Sequence, residues 1–438
     1  MAARRRSDSE LPHAPLELLH PLLLPGADIP GAEILGELGC TPDATTLLQL
    51  YRAVLAWSAH PENSPALDSA SLERTEFALL SRGDDPLASP AGLLAGYMAQ
   101  PEAATQREVA WVCICIADWA TERGARATAL RFTEAAALAW PRHARYAWMV
   151  ARMLRAQNKV RESEAWFRRA HRVAVWSDDW EAQARTLNSL GNLNRTTGRI
   201  GHAKRLHLRA LRVARRFGLK ALEGEVCHDL FVVHAASGDR EAAETFAAQA
   251  FAAYGATHHK LTLLVHDIAQ LWTEHGFYWR ALPIFQALLR RTDLPYHGIR
   301  ELAGAGRASG AASDGALFRK YSGQVRVHVP DVPVRVAAAA LLEVGLGAEC
   351  LAEFSNAVDT VREALELAEK CGAGTLISEC EVVLARVALC RDVTTVQRGR
   401  REIGEGQPGD LLAMEMAQTV ARDTHVPGEA RARPIASS

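Results

Sequence analysis

No apolar run in the chain approaches the roughly 18 residues that a membrane-crossing helix needs, so no spanning segment is expected. The short apolar stretch around Leu16–Leu24 is interrupted or bounded by Pro15, Glu17, His20, Pro21 and Pro25, which makes it too polar for a secretory core. Cysteine pairing is also missing. Cys40, Cys113, Cys115, Cys227, Cys350, Cys371, Cys380 and Cys390 contain no C-x-x-C. Most of them sit in apolar helical patterns, where a thiol acts as a small hydrophobe. That excludes a disulfide framework and points to a reducing, cytoplasmic setting. Lysine is scarce: of 50 basic residues 6 are Lys, leaving 44 Arg, a bias that fits a GC-rich bacterial genome. The formal net charge is −1, so overall charge selects no partner.

Catalytic signatures are absent as well. There is no H-E-x-x-H, no G-x-S-x-G and no Walker pattern. Gly304-Ala-Gly306 lacks a third glycine and follows no strand, so it cannot cradle a phosphate in the usual way. Cys113 and Cys115 lie about 200° apart around a helix and cannot share one ion. His258, His259, His266 and His275 cluster in sequence, but His266 and His275 are nine apart, which does not place them together for a single metal ion. A non-enzymatic chain without cofactor or metal is expected, and it carries no visible winged-helix or nucleotide-binding module.

What the chain does have is alanine in register. Ala184–Gly218 holds two helical patterns either side of Thr197-Gly198. The first carries Leu187, Leu190, Gly191 and Leu193, the second Ala203, Leu206, Ala210, Leu211 and Val213. Taking the turn residue as marker, Gly124, Asn158, Gly198, Gly238 and Gly276 follow at spacings of 34, 40, 40 and 38. Five residues after each comes Ala129, Ser163, Ala203, Ala243 or Ala281; twelve after comes Ala136, Ala170, Ala210, Ala250 or Leu288. Small residues in phase let paired helices approach closely. The register returns at Ala352, 76 residues beyond Gly276, which leaves room for one poorly matching repeat between them.

The expected organisation follows. Residues 1–41 are Pro/Gly-rich and loosely ordered. Residues 42–109 form a helical N-terminal cap, with helices near 43–59, 70–82 and 90–99. Residues 110–293 are repeats. Residues 294–335 are a degenerate repeat and link, because Gly304, Gly306, Gly310 and Gly315 are poor helix formers and Val325–Val334 alternates briefly like a strand with two prolines. Residues 336–390 are a C-terminal repeat and capping helix. Residues 391–438 are a polar tail, expected to be disordered or to hold a loose helix near Asp410–Ala421.

The 34- to 40-residue period and the run Leu187-Asn188-Ser189-Leu190-Gly191-Asn192-Leu193 resemble the tetratricopeptide-repeat superfamily, in the longer-helix variety of kinesin light chains and bacterial regulator sensor domains. The usual tyrosine of the first helix is replaced by Leu154, Asn194 or His234. The resemblance implies an all-α, right-handed α-solenoid of antiparallel helix pairs that binds peptides or proteins and carries no catalytic residues.

In such a solenoid the first helix of each pair lines the concave groove. Counting back from the markers gives Arg145, Trp148, Arg152 and Arg155 in the second unit, and Arg185, Asn188, Asn192 and Arg195 in the third. Trp111, Ile114, Asp118 and Thr121 line the first unit, Glu225, His228 and Val232 the fourth, and His266, Gln270 and Thr273 the fifth. Arginine forks onto carboxylates and asparagine pairs with an extended backbone. The groove is thus expected to hold an acidic protein or peptide segment, with Trp111 and Trp148 as apolar anchors. The alternative is that these arginines are ordinary solvated surface. A second charged feature is wider: from Arg142 to Lys220 there are 19 basic residues against 5 acidic, and Arg205, Arg209, Arg212 and Arg216 share one helix face. That face suits nucleic acid, or self-association with the acidic C-terminal repeats of another copy.

Overall fold

The computed structural model describes residues 31–59, 86–291, 298–390 and 408–422. Among them there are helices, one 3-10 turn and no strand. The chain divides into two compact units, 1–222 and 223–438.

The N-terminal unit opens with α1 (Ala32–Leu38), α2 (Pro42–Ala59) and α3 (Ala88–Ala99). Three antiparallel pairs follow: α4 (Gln106–Glu122) with α5 (Arg126–Ala139), α6 (Ala144–Ala156) with α7 (Val160–Trp176), and α8 (Trp180–Thr196) with α9 (Ile200–Arg216). The helix expected at 70–82 lies outside the described residues. Residues 31–41, expected to be loosely ordered, hold α1. Helix α5 begins after Ala125, which has no capping side chain. Glu37 of α1 supplies the cap from 90 residues away, accepting from the Ala127 and Thr128 amides at 2.9 and 2.8 Å. A carboxylate there satisfies orphan N–H groups and meets the positive end of the helix dipole.

The C-terminal unit continues with α10 (Lys220–Ala236), which starts just before the division, and α11 (Arg240–Tyr254). Then come α12 (Leu261–Glu274) with α13 (Tyr278–Leu288), α14 (Ile299–Ala311) with α15 (Gly315–His328), α16 (Val334–Cys350) with α17 (Phe354–Lys370), and α18 (Gly374–Cys390). A last helix, α19 (Pro408–Arg422), packs on α13.

Every pair turns in the same way. Gly124, Asn158, Gly198, Gly238, Gly276, Ser313 and Ala352 all have positive φ, between 59° and 81°. The amide of the next residue returns to the carbonyl four before the marker at 2.7–3.0 Å, as in Lys159 to Leu154 and Glu353 to Ala348. This is the closure that ends a helix with one left-handed residue. The small residues then do what their phase implied: Ala129, Ser163, Ala203, Ala243 and Ala281 are all 0% exposed. Alanine in the left-handed region pays the Cβ penalty that glycine avoids. Ala352→Gly is therefore expected to raise stability by about 1 kcal/mol, read as a higher urea midpoint; an unchanged or lower midpoint would contradict this.

Residues 294–335 need two corrections. From residue 298 they hold a complete helix pair, and Ser313 is its turn marker at φ 60°. Val325–Val334 is not strand-like: it ends α15, passes a 3-10 turn at Val329–Asp331 and starts α16. The glycines of α14 are sites of close approach. A Cβ on Gly304 would press into the Phe285 ring, and one on Gly310 would collide with the backbone of Gly347 in α16. The polar tail needs a third correction, since α19 is a docked helix with Ala413, Met416 and Val420 buried along one stripe.

Candidate functional site

In the N-terminal unit the first helices α4, α6 and α8 carry most of the residues assigned to the groove. Trp111 is 56% exposed, unusual for so large an apolar side chain. Asp118, Arg145 and Arg152 are exposed, and Arg155, Arg185, Asn192 and Arg195 are half-buried. Trp148 is held in place: its indole N–H donates to Ser189 Oγ of α8 at 2.8 Å, and the Arg152 guanidinium lies over its ring at 4.7 Å. Arg185 is paired with Glu181 at 2.8 Å, one turn earlier. The Nε of Arg195 is buried with no hydrogen-bond partner among the described residues.

Two assigned residues are elsewhere. Asn188 is 8% exposed and its Oδ1 lies 2.7 Å from Nδ1 of His207. It belongs to the interior of the α8–α9 pair, where Gly191 leaves space for the His207 ring. Its oxygen is committed to that ring and does not line the groove. His228 lies in the other unit and is 6% exposed. Its Nδ1 meets Tyr254 Oη at 3.2 Å and its Nε2 meets Asp267 Oδ2 at 3.3 Å. Tyr254 in turn stacks on His258 at 3.9 Å. This network joins α10, α11 and α12 and serves packing.

Arg205, Arg209, Arg212 and Arg216 are all exposed on α9, as one helix face at i, i+4, i+7 and i+11 requires. None has a carboxylate within ion-pair distance among the described residues. Phe217 at the end of that helix stacks on Trp180 at 4.4 Å and 5°.

The C-terminal unit holds a cavity of about 160 Å³ lined from successive first helices. Helix α12 contributes His266, Gln270 and Thr273, α14 Arg300 and Ala303, α16 Glu343, and α18 Glu379. Arg307 of α14 reaches both oxygens of Glu343 at 3.1 Å. His266 lies 3.3 Å from Glu301. Burial works to raise the Glu301 carboxyl, but the hydrogen bond and charge of His266 outweigh it and hold the group below its ordinary value. At Glu379 the balance reverses: desolvation first, then the charge of Glu343, pushes it up; elsewhere on α12, desolvation pushes Glu274 up against the pull of Arg307. The fifth groove row, His266, Gln270 and Thr273, was readable in sequence; Arg300 and Arg307 were missed. Applying the same back-count to Ser313 gives Arg300, Ala303, Arg307 and Gly310.

Three acidic residues of the C-terminal repeats are engaged within their own unit: Glu343 with Arg307, Glu349 with Arg386 and Glu363 with Arg326. Among the described residues no cluster of three or more His, Cys, Asp or Glu converges to hold a metal ion. No described helix is long and apolar enough to cross a membrane.

Repeated antiparallel pairs, closed by one turn type and faced by exposed tryptophan and arginine, define an all-α helical-repeat protein. Residues 142–216, the second and third of these pairs, match the tetratricopeptide-repeat family model. No curated protein matches the chain. Among solved structures, similarity is found to a Rap protein complexed with competence and sporulation factor, at 11% identity and TM-score 0.40 over 82% of this chain and 98% of that one. The tetratricopeptide domain of P58(IPK) aligns at 12% identity and TM-score 0.24, over 81% and 100%. A circular tandem repeat protein aligns at 13% and 0.19, over 87% and 96%. Tetratricopeptide repeats are in general protein–protein interaction scaffolds.

Proposed function

We propose that the chain is a non-enzymatic scaffold that takes an extended, acidic protein segment on the first-helix face of its N-terminal unit. The observation that carries this reading is the preset cluster of Trp148, Ser189 and Arg152. An indole fixed by a hydrogen bond and covered by an exposed guanidinium offers an apolar anchor and a carboxylate fork side by side. Little side-chain freedom is left to lose on binding, which favours affinity. Trp111 supplies a second anchor, and Arg145 and Arg195 add positive charge.

The test uses immobilised Asp/Glu-rich and Lys-rich peptides of matched length. The protein is expected to retain the acidic set, and Arg152→Glu with Arg195→Glu is expected to weaken retention about 100-fold or more, at about 1.5–3 kcal/mol for each charge-assisted bond. Helical content by circular dichroism should not change. Full retention by the folded double variant would sink the assignment. The exposed arginine row of α9 favours a second reading, a nucleic-acid or transcription-associated role. Preferential retention on RNA over acidic peptide, falling steeply with salt, would select it. Self-association through the acidic repeats is disfavoured by the pairing of Glu343, Glu349 and Glu363 within their own unit.

A further inference from the structure

Helix α7 carries a basic cluster that the groove does not use. Arg168, His171 and Arg172, with Leu190 of α8, line a cavity of about 350 Å³. The Nε and one Nη of Arg172, the Nδ1 of His171 and the Nε of neighbouring Arg169 are all buried, with no hydrogen-bond partner among the described residues. The nearby carboxylate is already shared: Glu164 binds Arg168 at 2.7 Å and Arg199 at 3.1 Å. Burial and the charge of Arg172 lower the Arg169 pKa; burial and the charge of Arg209, on α9, lower that of His171.

Desolvated cations beside one another, without a counter-charge, are an unfavourable arrangement in an isolated molecule. Orphaned buried donors in a native fold call for a specific partner. Water could meet some of them but would leave the charge uncompensated. The cavity is at the lower end of the size range of small-ligand sites. With the Arg172 head group turned toward the cavity, its two unpartnered nitrogens, the Arg168 guanidinium shared with Glu164 and the imidazole edge would suit a tetrahedral oxyanion with three equivalent oxygens. A second arginine beside them adds field without occupying the space.

We propose that this cavity binds a phosphate-class oxyanion through Arg172, His171 and Arg168. The site is separate from the Trp148 cluster, so it stands or falls independently of the groove reading. Without its anion the site destabilises the fold, and with it the fold gains by mass action.

Calorimetric titration of the full chain at fixed ionic strength, set with chloride, tests it. The probes are inorganic phosphate, pyrophosphate and a 5′-mononucleotide. Saturable binding of at least one is expected, weakened at least about tenfold in Arg172→Met and in His171→Gln, since each loses a charge-assisted contact. Tighter binding of the mononucleotide would identify the phosphate as that of a nucleotide; equal or tighter binding of the inorganic anions would identify a free phosphate. Melting supplies a readout that a packing role would not give. Arg172→Met should melt above the wild type without anion, yet gain less from pyrophosphate. Should Arg172→Met fail to fold, His171→Gln carries the test alone. Arg212→Gln, on the exposed row of α9, should bind as the wild type does. No saturable heat with any probe, or equal weakening by Arg212→Gln and the α7 variants, would overturn the proposal in favour of a diffuse basic surface.

Discussion

Asp410→Ala is expected to release α19 from the C-terminal unit and to lower stability by about 3–5 kcal/mol, the usual consequence of removing one partner from a buried ion pair. Asp410 is 4% exposed and Arg280 of α13 is 6% exposed. The guanidinium Nε donates to Asp410 Oδ1 at 2.5 Å, and the Trp279 indole N–H donates to the same oxygen at 3.3 Å. Arg280 is packed between rings, 4.7 Å from Phe277 and 5.8 Å from Trp272, so it cannot swing out to water when its partner goes. The remaining carboxylate, Glu244, lies at 3.9 Å and already accepts from Trp272 and Arg240 at 3.0 Å. Asp410→Asn keeps an acceptor and loses the charge, so it should fall between wild type and alanine. Hydrogen exchange over 408–422 distinguishes local release from global unfolding: protection of α19 should collapse in Asp410→Ala while α14 and α16 keep theirs. Unchanged protection of α19 would mean that the apolar stripe of Ala413, Met416 and Val420 holds the helix without the ion pair.

That contact also marks the limit of what the sequence discloses. Arg280 and Asp410 are 130 residues apart, and neither lies in a pattern that names the other. A short apolar stripe in a polar tail reads as a loose helix because its docking surface is invisible at that stage. Glu37 is the same case: nothing local marks it as the cap of a helix 90 residues later. Periodic features were far easier to read. Six turn markers chosen by position, including Asn158 and Ala352, all adopt left-handed φ. Ser313, the seventh, escaped because the helix before it is rich in glycine and reads as a link.

The candidate groove was legible in part, for a geometric reason. Counting back from a turn selects one helix face, on which Trp111, Arg145 and Arg152 are exposed and Trp148 is half-buried. A face has edges, however, and an edge residue can turn either way. At Asn188 the deciding fact is on the partner helix, where His207 takes a position, nine after the turn marker, that other repeats fill with Thr133, Phe167, Ala247 or Phe285. A buried imidazole needs a polar neighbour, and Asn188 Oδ1 provides it. The cavity of the C-terminal unit was hidden by the lost repeat: without Ser313, Arg300 and Arg307 had no register to place them opposite Glu343.

The glycines that obscured that repeat lead to a prediction opposite in sign to helix propensity. In an exposed helix, replacing glycine by alanine stabilises by about 1 kcal/mol. Gly323, exposed on α15 with nothing near its missing Cβ, should behave that way. Gly310 should not. A Cβ there would strike the Gly347 carbonyl and Cα, and a Cβ on Gly347 would lie 3.1 Å from the Cα of Arg307 and 3.2 Å from the Gly306 carbonyl. Backbone meets backbone, so no rotamer change relieves the clash and α14 must separate from α16. Gly310→Ala is expected to lose about 1–3 kcal/mol, the ordinary penalty of overpacking. Gly310→Val adds branched bulk and should lose more than about 4 kcal/mol, into the exceptional range for one substitution. The separation also has a chemical readout. Arg307 on α14 and Glu343 on α16 are joined across this contact at 3.1 Å. Prising the helices apart breaks the pair and opens the cavity lined by Arg300 and Glu343. Urea unfolding of Gly310→Ala beside Gly323→Ala compares the two sites within one unit. If both variants gain stability, the two backbones do not touch, and the glycines of α14 are no more than weak points in a helix.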